Sequence, residues 1–170
     1  MSNQQTVVLL DGGMGQELIK RSANAPTPLW SATVMRDEPD LVTTVHADYI
    51  QADARVITLN NYSATPVRLA KHGLSTAFSE LHQAAITAAQ RAIAQTKPTH
   101  PVAVAGCLPP LVSSYHAEDV PSEAACLADY RALVAAQKDG VNLFLCETLT
   151  TVREVQTAAT AGKESGHPVW

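Results

Sequence analysis

The sequence predicts an α/β fold, the front part of a parallel β/α barrel with about four and a half strand and helix units and no closure within the chain. Three observations predict it. Four short aliphatic runs recur along the chain, each stops at a polar or glycine turn, and helical apolar periodicity fills the intervals between them. Continuous apolar runs are the mark of strands buried on both faces, and returning each to the same edge of a sheet needs a crossover helix.

The runs are residues 7–10 before Asp11-Gly12-Gly13, 56–59 before Asn60-Asn61, 102–105 before Gly106, and 143–146 before Glu147. Glu38-Pro39 opens the first helix, since proline suits the first turn, and Leu41, Val45, Tyr49 and Ala52 form its apolar stripe. Residues 75–95 make an alanine-rich second helix with Leu81, Ala85, Ala89 and Ala92 or Ile93 on one face. Ser122 caps a third, with Glu123 in its first turn and Gly140 where a left-handed end is wanted. Residues 151–161 make a fourth, ended by Gly162 and Gly166. Segments 25–29 and 109–121 read as long loops after the first and third strands. His167-Pro168-Val169-Trp170 has the pattern of a fifth strand beginning, so the chain reads as one partial domain, residues 1–170, cut short of the full fold.

Composition narrows the function. Of 170 residues, 46% are apolar and 16% charged, which fits a packed interior rather than a disordered chain. A net charge of −4 supplies no basic field for nucleic acid. Met1 to Thr6 lack the charged start and apolar stretch of a signal peptide, and no apolar run reaches a membrane span of about 20 residues. Cys107, Cys126 and Cys146 are odd in number and widely spaced, which suits a reducing cytoplasm. Gly12-Gly13-Met14-Gly15 has neither phosphate-loop spacing, so nucleotide binding is disfavoured.

Asp11, Asn60, Cys107 and Glu147 fall at four equivalent strand ends, the ligand-binding edge of barrels and open sheets alike. Each also has a plainer reading. Asp11 before two glycines shapes a turn, Glu147-Thr148 caps a helix, and Asn61 is a turn residue. Two carboxylates in one pocket serve either acid/base chemistry or the holding of a cation such as an amino-acid ammonium. Gly12 and Gly13 favour the second use, because bare backbone admits a small ligand and offers N–H groups to a carboxylate. Cys126 and Cys146 read as core, Cys107 as pocket lining. The histidines show no metal spacing and mostly fall on solvated faces. An unrelated barrel aldolase or isomerase would need a lysine or histidine at a strand end, and none is present.

Several ordered motifs together resemble the homocysteine S-methyltransferase family. They are Leu9-Leu10-Asp11-Gly12-Gly13-Met14-Gly15-Gln16-Glu17-Leu18, Pro28-Leu29-Trp30-Ser31-Ala32, Val45-His46-Ala47-Asp48-Tyr49-Ile50 and Val56-Ile57-Thr58-Leu59-Asn60-Asn61-Tyr62. Gly106-Cys107-Leu108-Pro109-Pro110-Leu111 with Ser114-Tyr115, and Cys146-Glu147-Thr148 with Glu154, continue the series. The resemblance implies the first half of a (β/α)8 TIM barrel. It also implies methyl transfer from a cationic donor such as S-methylmethionine to the homocysteine thiol, giving methionine.

In that family zinc on three cysteines holds the substrate sulfur as thiolate. By the resemblance, Asp11 and Glu147 hold the homocysteine ammonium, Gly12 and Gly13 meet its carboxylate, and Asn60 and Tyr62 line the pocket near the donor. The family's zinc ligands lie further along than this chain extends, so no metal ligand is assigned here and the isolated chain is expected to be inactive. The alternative is a non-catalytic fragment or remnant that binds an amino acid or a complementary half-barrel. Two departures stand out: Ala52-Asp53-Ala54-Arg55 replaces the family's Ala-Gly-Ala-Asp, putting Asp53 at a left-handed helix end, and Leu59 and Asn61 replace threonines.

Overall fold

The computed structural model describes residues 7–170; Met1 to Thr6, the polar start noted above, lie outside the described residues. Three strands, β1 (Val56–Thr58), β2 (Ala103–Leu108) and β3 (Leu143–Cys146), form a parallel sheet in chain order. Val56 pairs with Ala103 and Ala105 with Leu143, so β2 is paired on both sides. Single parallel bridges extend the order outward, Leu10 to Val56 on one edge and Val169 to Phe144 on the other. Five chain segments therefore lie side by side in sequence order, and their C-terminal ends face one way.

The expected first strand is reduced to that one bridge. Arg55 N–H donates to Leu9 O and Asp11 N–H to Val56 O, but Val7, Val8, Leu9 and Leu10 are exposed, Val7 at 88%. With only one paired flank among the described residues, the segment has no second neighbour to bury its side chains. The fifth strand is likewise brief, held by Phe144 N–H to Pro168 O and Trp170 N–H to Phe144 O.

The helices carry the larger corrections. Two short ones, α1 (Met14–Arg21) and α2 (Trp30–Asp37), precede the one opened by Pro39, which is α3 (Pro39–Gln51). Each has eight residues, too few for a periodic stripe to show; α1 buries only Met14 and Leu18, one turn apart. The 25–29 segment thus joins two helices. On α3 the buried face is Val42, Thr43, Val45, His46 and Ile50, rotated from the expected stripe, because the helix packs against α1, α2 and the next long helix at once. A third unexpected helix, α4 (Pro66–Lys71), starts after Thr65, whose hydroxyl accepts from Arg68 N–H.

Helix α5 (Phe78–Thr96) buries Leu81, Ala85, Ala89 and Ala92 as the spacing predicts. Alanine at these positions lets α3 and α5 approach closely, and theirs is one of the two most extensive helix pairings. Helix α6 (Glu123–Gln137) begins with the Ser122 cap on Ala125 N–H. Helix α7 (Val152–Glu164) begins with a full capping box, Thr151 and Glu154 each accepting from the other's backbone N–H. Gly162 lies inside α7, and Gly166, at φ +81, follows its end. Gly140 ends α6 through a tight 3-10 turn rather than a left-handed residue; it is glycine because a Cβ there would meet the Ile86 side chain at 2.5 Å. Asp53 does take the left-handed conformation, at φ +73.

His46 and His82 are fully buried, against the expectation of solvated faces. Packing of α3 and α5 across a shared core leaves no outer face at those positions. Burial pulls both imidazoles down to about 4, so each is neutral at physiological pH. Among the described residues His46 has neither ring nitrogen partnered, whereas His82 Nδ1 lies 2.7 Å from Asn61 Nδ2 and Nε2 lies 3.1 Å from Ala64 O. Those contacts fix His82 as the Nε2–H tautomer, because Asn61 Nδ2 can only donate and Ala64 O can only accept.

The helix layer meets the sheet most tightly at Gly106 on β2. A Cβ there would meet the Phe144 ring at 2.7 Å and Gln137 Oε1 at 3.0 Å. Phe144 and Gln137 are both fully buried, so neither has room to swing away. Gly106→Ala should cost about 1–3 kcal/mol by overpacking and lower Tm by roughly 3–10 °C in thermal unfolding. An unchanged midpoint would show that the ring moves aside freely.

Candidate functional site

The C-terminal strand ends and the loops that follow them enclose an open cleft of about 740 Å³. Asp11, Gly12, Gly13, Asn60, Tyr62 and Glu147 all line it, so residues 136 positions apart in sequence share one space. Parallel pairing is the cause, since it delivers every strand end to the same edge.

Asp11 follows the Leu10 bridge. Its carboxylate accepts from Thr58 N–H at 2.7 Å and Thr58 Oγ–H at 3.0 Å, one oxygen to each. Burial raises its carboxyl from 3.8 to about 6, the Thr58 bonds oppose that rise, and the Glu147 charge adds to it. The plainer turn-forming reading is insufficient, because the side chain also reaches across to β1.

Gly12 lies against the Tyr49 ring, where a Cβ would sit 2.9 Å from the ring edge. Gly13 precedes α1 and supplies no side-chain cap. The N–H groups of Gly12 and Gly13 have no acceptor among the described residues. They are free to receive an anion at the head of a helix.

Asn60 is buried and donates from Nδ2 to Ser31 O at 3.1 Å, tying the β1 end to α2. Asn61 faces the other way, toward His82, as suits a turn residue. Tyr62 Oη lies 2.6 Å from Ser114 Oγ, joining the loops that follow β1 and β2.

Glu147 accepts from the Cys107 thiol through Oε1 at 2.9 Å. Cys107 is thus not a pocket lining, as expected from sequence, but a fully buried group behind the carboxylate. Its thiol is held well above the ordinary range by burial first, then by the Glu147 charge, so it donates as S–H. Gln137 of α6 fixes this position in turn, accepting from Cys107 N–H at 3.0 Å and donating to Cys107 O at 3.2 Å. No motif marked Gln137, since a glutamine at a helix end ordinarily faces water. Glu147 does not cap a helix; Thr151 does.

Arg68 also lines the cleft and was missed in the sequence. The signal was the Thr65-Pro66 helix start that places it in the first turn of α4, six residues beyond Tyr62. Its guanidinium sits 5.2 Å over the Tyr62 ring centre and donates to Val112 O and Pro110 O.

Among the described residues no group of three or more His, Cys, Asp or Glu side chains is placed to hold a metal ion. The three cysteines are all free thiols, and two are fully enclosed. The residues present therefore do not form a zinc site of the kind the resemblance implies. No helix among the described residues is long and apolar enough to cross a membrane.

Sequential parallel strands with a polar cleft at their C-terminal ends place the chain in the α/β class. Comparison with known proteins gives the family. The model of the homocysteine S-methyltransferase family matches residues 8–170. A homocysteine S-methyltransferase of Escherichia coli (strain K12) is 34% identical over 169 residues, covering 92% of this chain and 54% of that protein. A selenocysteine Se-methyltransferase of Brassica oleracea var. italica is 42% identical over a shorter stretch of 57 residues, 34% of this chain and 16% of that protein. The crystal structure of the Escherichia coli homocysteine methyltransferase MmuM in its metallated form superposes with a TM-score of 0.86 at 32% identity, covering 98% of this chain and 62% of that one.

The chain belongs to the homocysteine S-methyltransferase family. It spans about half the length of the Escherichia coli relative.

The Asp11 carboxyl gives a direct test of the site's electrostatics. A carboxyl whose folded-state pKa is raised favours the fold while protonated. That contribution is whole below about 3.8 and is lost as pH rises to about 6. Relative to Asp11→Asn, the parent should lose up to about 3 kcal/mol of unfolding free energy between pH 4 and pH 7. Denaturant titrations across that range check it, and parallel curves for the two proteins would contradict the assignment.

Proposed function

We propose that the cleft is the amino-acid subsite of a homocysteine S-methyltransferase, in which Asp11 and Glu147 hold the homocysteine ammonium. The observation that carries this reading is the pair of carboxylates at the first and fourth strand ends, close enough for one charge to raise the other's pKa. An ammonium between them offsets their repulsion and returns to Asp11 the solvation that burial removes. Gly12 and Gly13 offer their amide N–H groups to the ligand carboxylate. Asn60 and Tyr62 form the adjoining wall, on the side where the methyl donor enters.

The family reaction joins the homocysteine sulfur to a methyl group carried on a cationic donor, S-methylmethionine being the donor we favour, to give methionine. The whole enzyme is read as a (β/α)8 barrel in the cytoplasm, of which these residues form the front half. Zinc is expected of that enzyme, but this chain's residues do not build the site, and no step is assigned to it here. Each residue's work is binding. Glu147 is aimed by Cys107, Asp11 by Thr58, and Tyr62 by Ser114.

Calorimetry with homocysteine and with 4-mercaptobutyrate, its analogue without the amine, separates ammonium recognition from general affinity. Glu147→Gln should weaken homocysteine about tenfold or more and leave the amine-free analogue unchanged. Homocysteine affinity of the parent should also fall as pH drops through about 6, where Asp11 gains its proton. Equal loss for both ligands would remove the ammonium assignment.

A second test concerns turnover. The purified 170-residue chain should bind homocysteine but transfer no methyl group to it from S-methylmethionine. Steady production of methionine by this chain alone would overturn the expectation.

A further inference from the structure

We propose that Arg68 forms a separate carboxylate subsite in the cleft, receiving the carboxylate of an amino-acid-like methyl donor. The proposal rests on the amino-acid reading of the cleft and assigns it a second ligand.

Arg68 is a half-buried cation with no acidic partner among the described residues. Arg21, Arg36, Arg55, Arg91 and Arg131 each pair with a carboxylate at the surface, while Arg68 and Arg153 are in no ion pair among the described residues; Arg153 is exposed and bonds Pro121 O, and only Arg68 of the two lines the cleft. Its Nε and Nη2 donate to Val112 O at 2.6 Å and Pro110 O at 3.0 Å. Two neutral carbonyls orient a guanidinium without neutralising it. The Tyr62 ring lies beneath it at 5.2 Å, and both residues line the main cleft. Burial lowers its pKa from the ordinary value, the direction expected of a charge short of solvent.

The charge of the surroundings points the same way. Arg68 also opens onto a smaller adjoining cleft of about 280 Å³ lined by Lys71, His72, Val112, Ser113 and Ser114, with no carboxylate in its wall. The acidic groups of the main cleft, Asp11 and Glu147, belong to the other strand ends. The wall of the main cleft therefore carries two carboxylates and one guanidinium.

Space and charge leave room for a second ligand. A volume of about 740 Å³ falls in the upper part of the range that accepts drug-sized molecules, roughly 300–1,000 Å³, and exceeds what one small amino acid fills. The homocysteine carboxylate is served by the Gly12 and Gly13 amides next to Asp11, which leaves Arg68 without an anion from that ligand. A donor that is itself an amino acid, with a sulfonium beside the acceptor sulfur, brings the missing carboxylate to the Tyr62 and Arg68 side.

The test compares three ligands on the full 170-residue chain by calorimetry: S-methylmethionine, its decarboxylated analogue (3-aminopropyl)dimethylsulfonium, and homocysteine. Arg68→Gln should weaken S-methylmethionine about tenfold or more while leaving the decarboxylated sulfonium and homocysteine within about twofold. Arg68→Lys keeps the charge but loses the paired carbonyl bonds, and it should retain most of the affinity for S-methylmethionine. Loss of all three ligands in both variants makes Arg68 a loop brace only and overturns the proposal. So does equal binding of the two sulfonium compounds by the parent. If homocysteine rather than S-methylmethionine is the ligand weakened, the assignment to the donor fails. Absence of homocysteine binding to the parent would instead sink the parent reading, independently of how the two sulfonium compounds compare.

Discussion

Parallel pairing through β2 is the constraint on which the site depends. A parallel neighbour can be reached only by carrying the chain back along a helix, so each strand starts at one edge and ends at the other. Asp11, Asn60, Cys107 and Glu147 are spread over most of the chain, yet they share an edge for this reason alone. The same rule places the helices outside the sheet, where alanine on α5 and glycine at 106 and 140 let them come close.

Around that edge, polar groups hold one another in ways that leave the cleft charged. Gln137 uses both ends of its amide on the Cys107 backbone, and the Cys107 thiol points to Glu147. Thr58 uses both of its donors on Asp11. His82, kept neutral by burial, closes the β1 loop through Asn61 and Ala64. Buried polar groups so paired are costly to disturb, which makes them suitable for fixing a binding geometry. Compensation at Asp11 is incomplete, because its hydrogen bonds do not offset its burial and the nearby Glu147 charge. That residual imbalance is what a cationic ligand would relieve.

Legibility in the sequence followed element length and locality. The three central strands, the α5 stripe, the Ser122 cap and the left-handed Asp53 were all readable, since each rests on contacts within a few residues or on a long periodic run. Helices α1, α2 and α4 were not, being too short for periodicity to outweigh their loop-like composition. The burial of His46 and His82 escaped notice because a histidine on a helix carries no local mark of which face the tertiary fold covers. Arg68 escaped for a related reason: its position in the cleft depends on carbonyls more than 40 residues away.

By itself the sequence determined the alternation of strand and helix, the parallel order, and which carboxylates would stand at strand ends, because period and turn chemistry are local properties. Its ordered motifs also sufficed to indicate the family. Only the tertiary structure decided that Asp11 lies on Thr58, that Cys107 sits behind Glu147 rather than in the cleft, and that Arg68, in no ion pair among the described residues, lines the same cleft as the two carboxylates. Those are statements about which distant groups exclude water from one another, and burial and charge coupling arise only when the chain has packed.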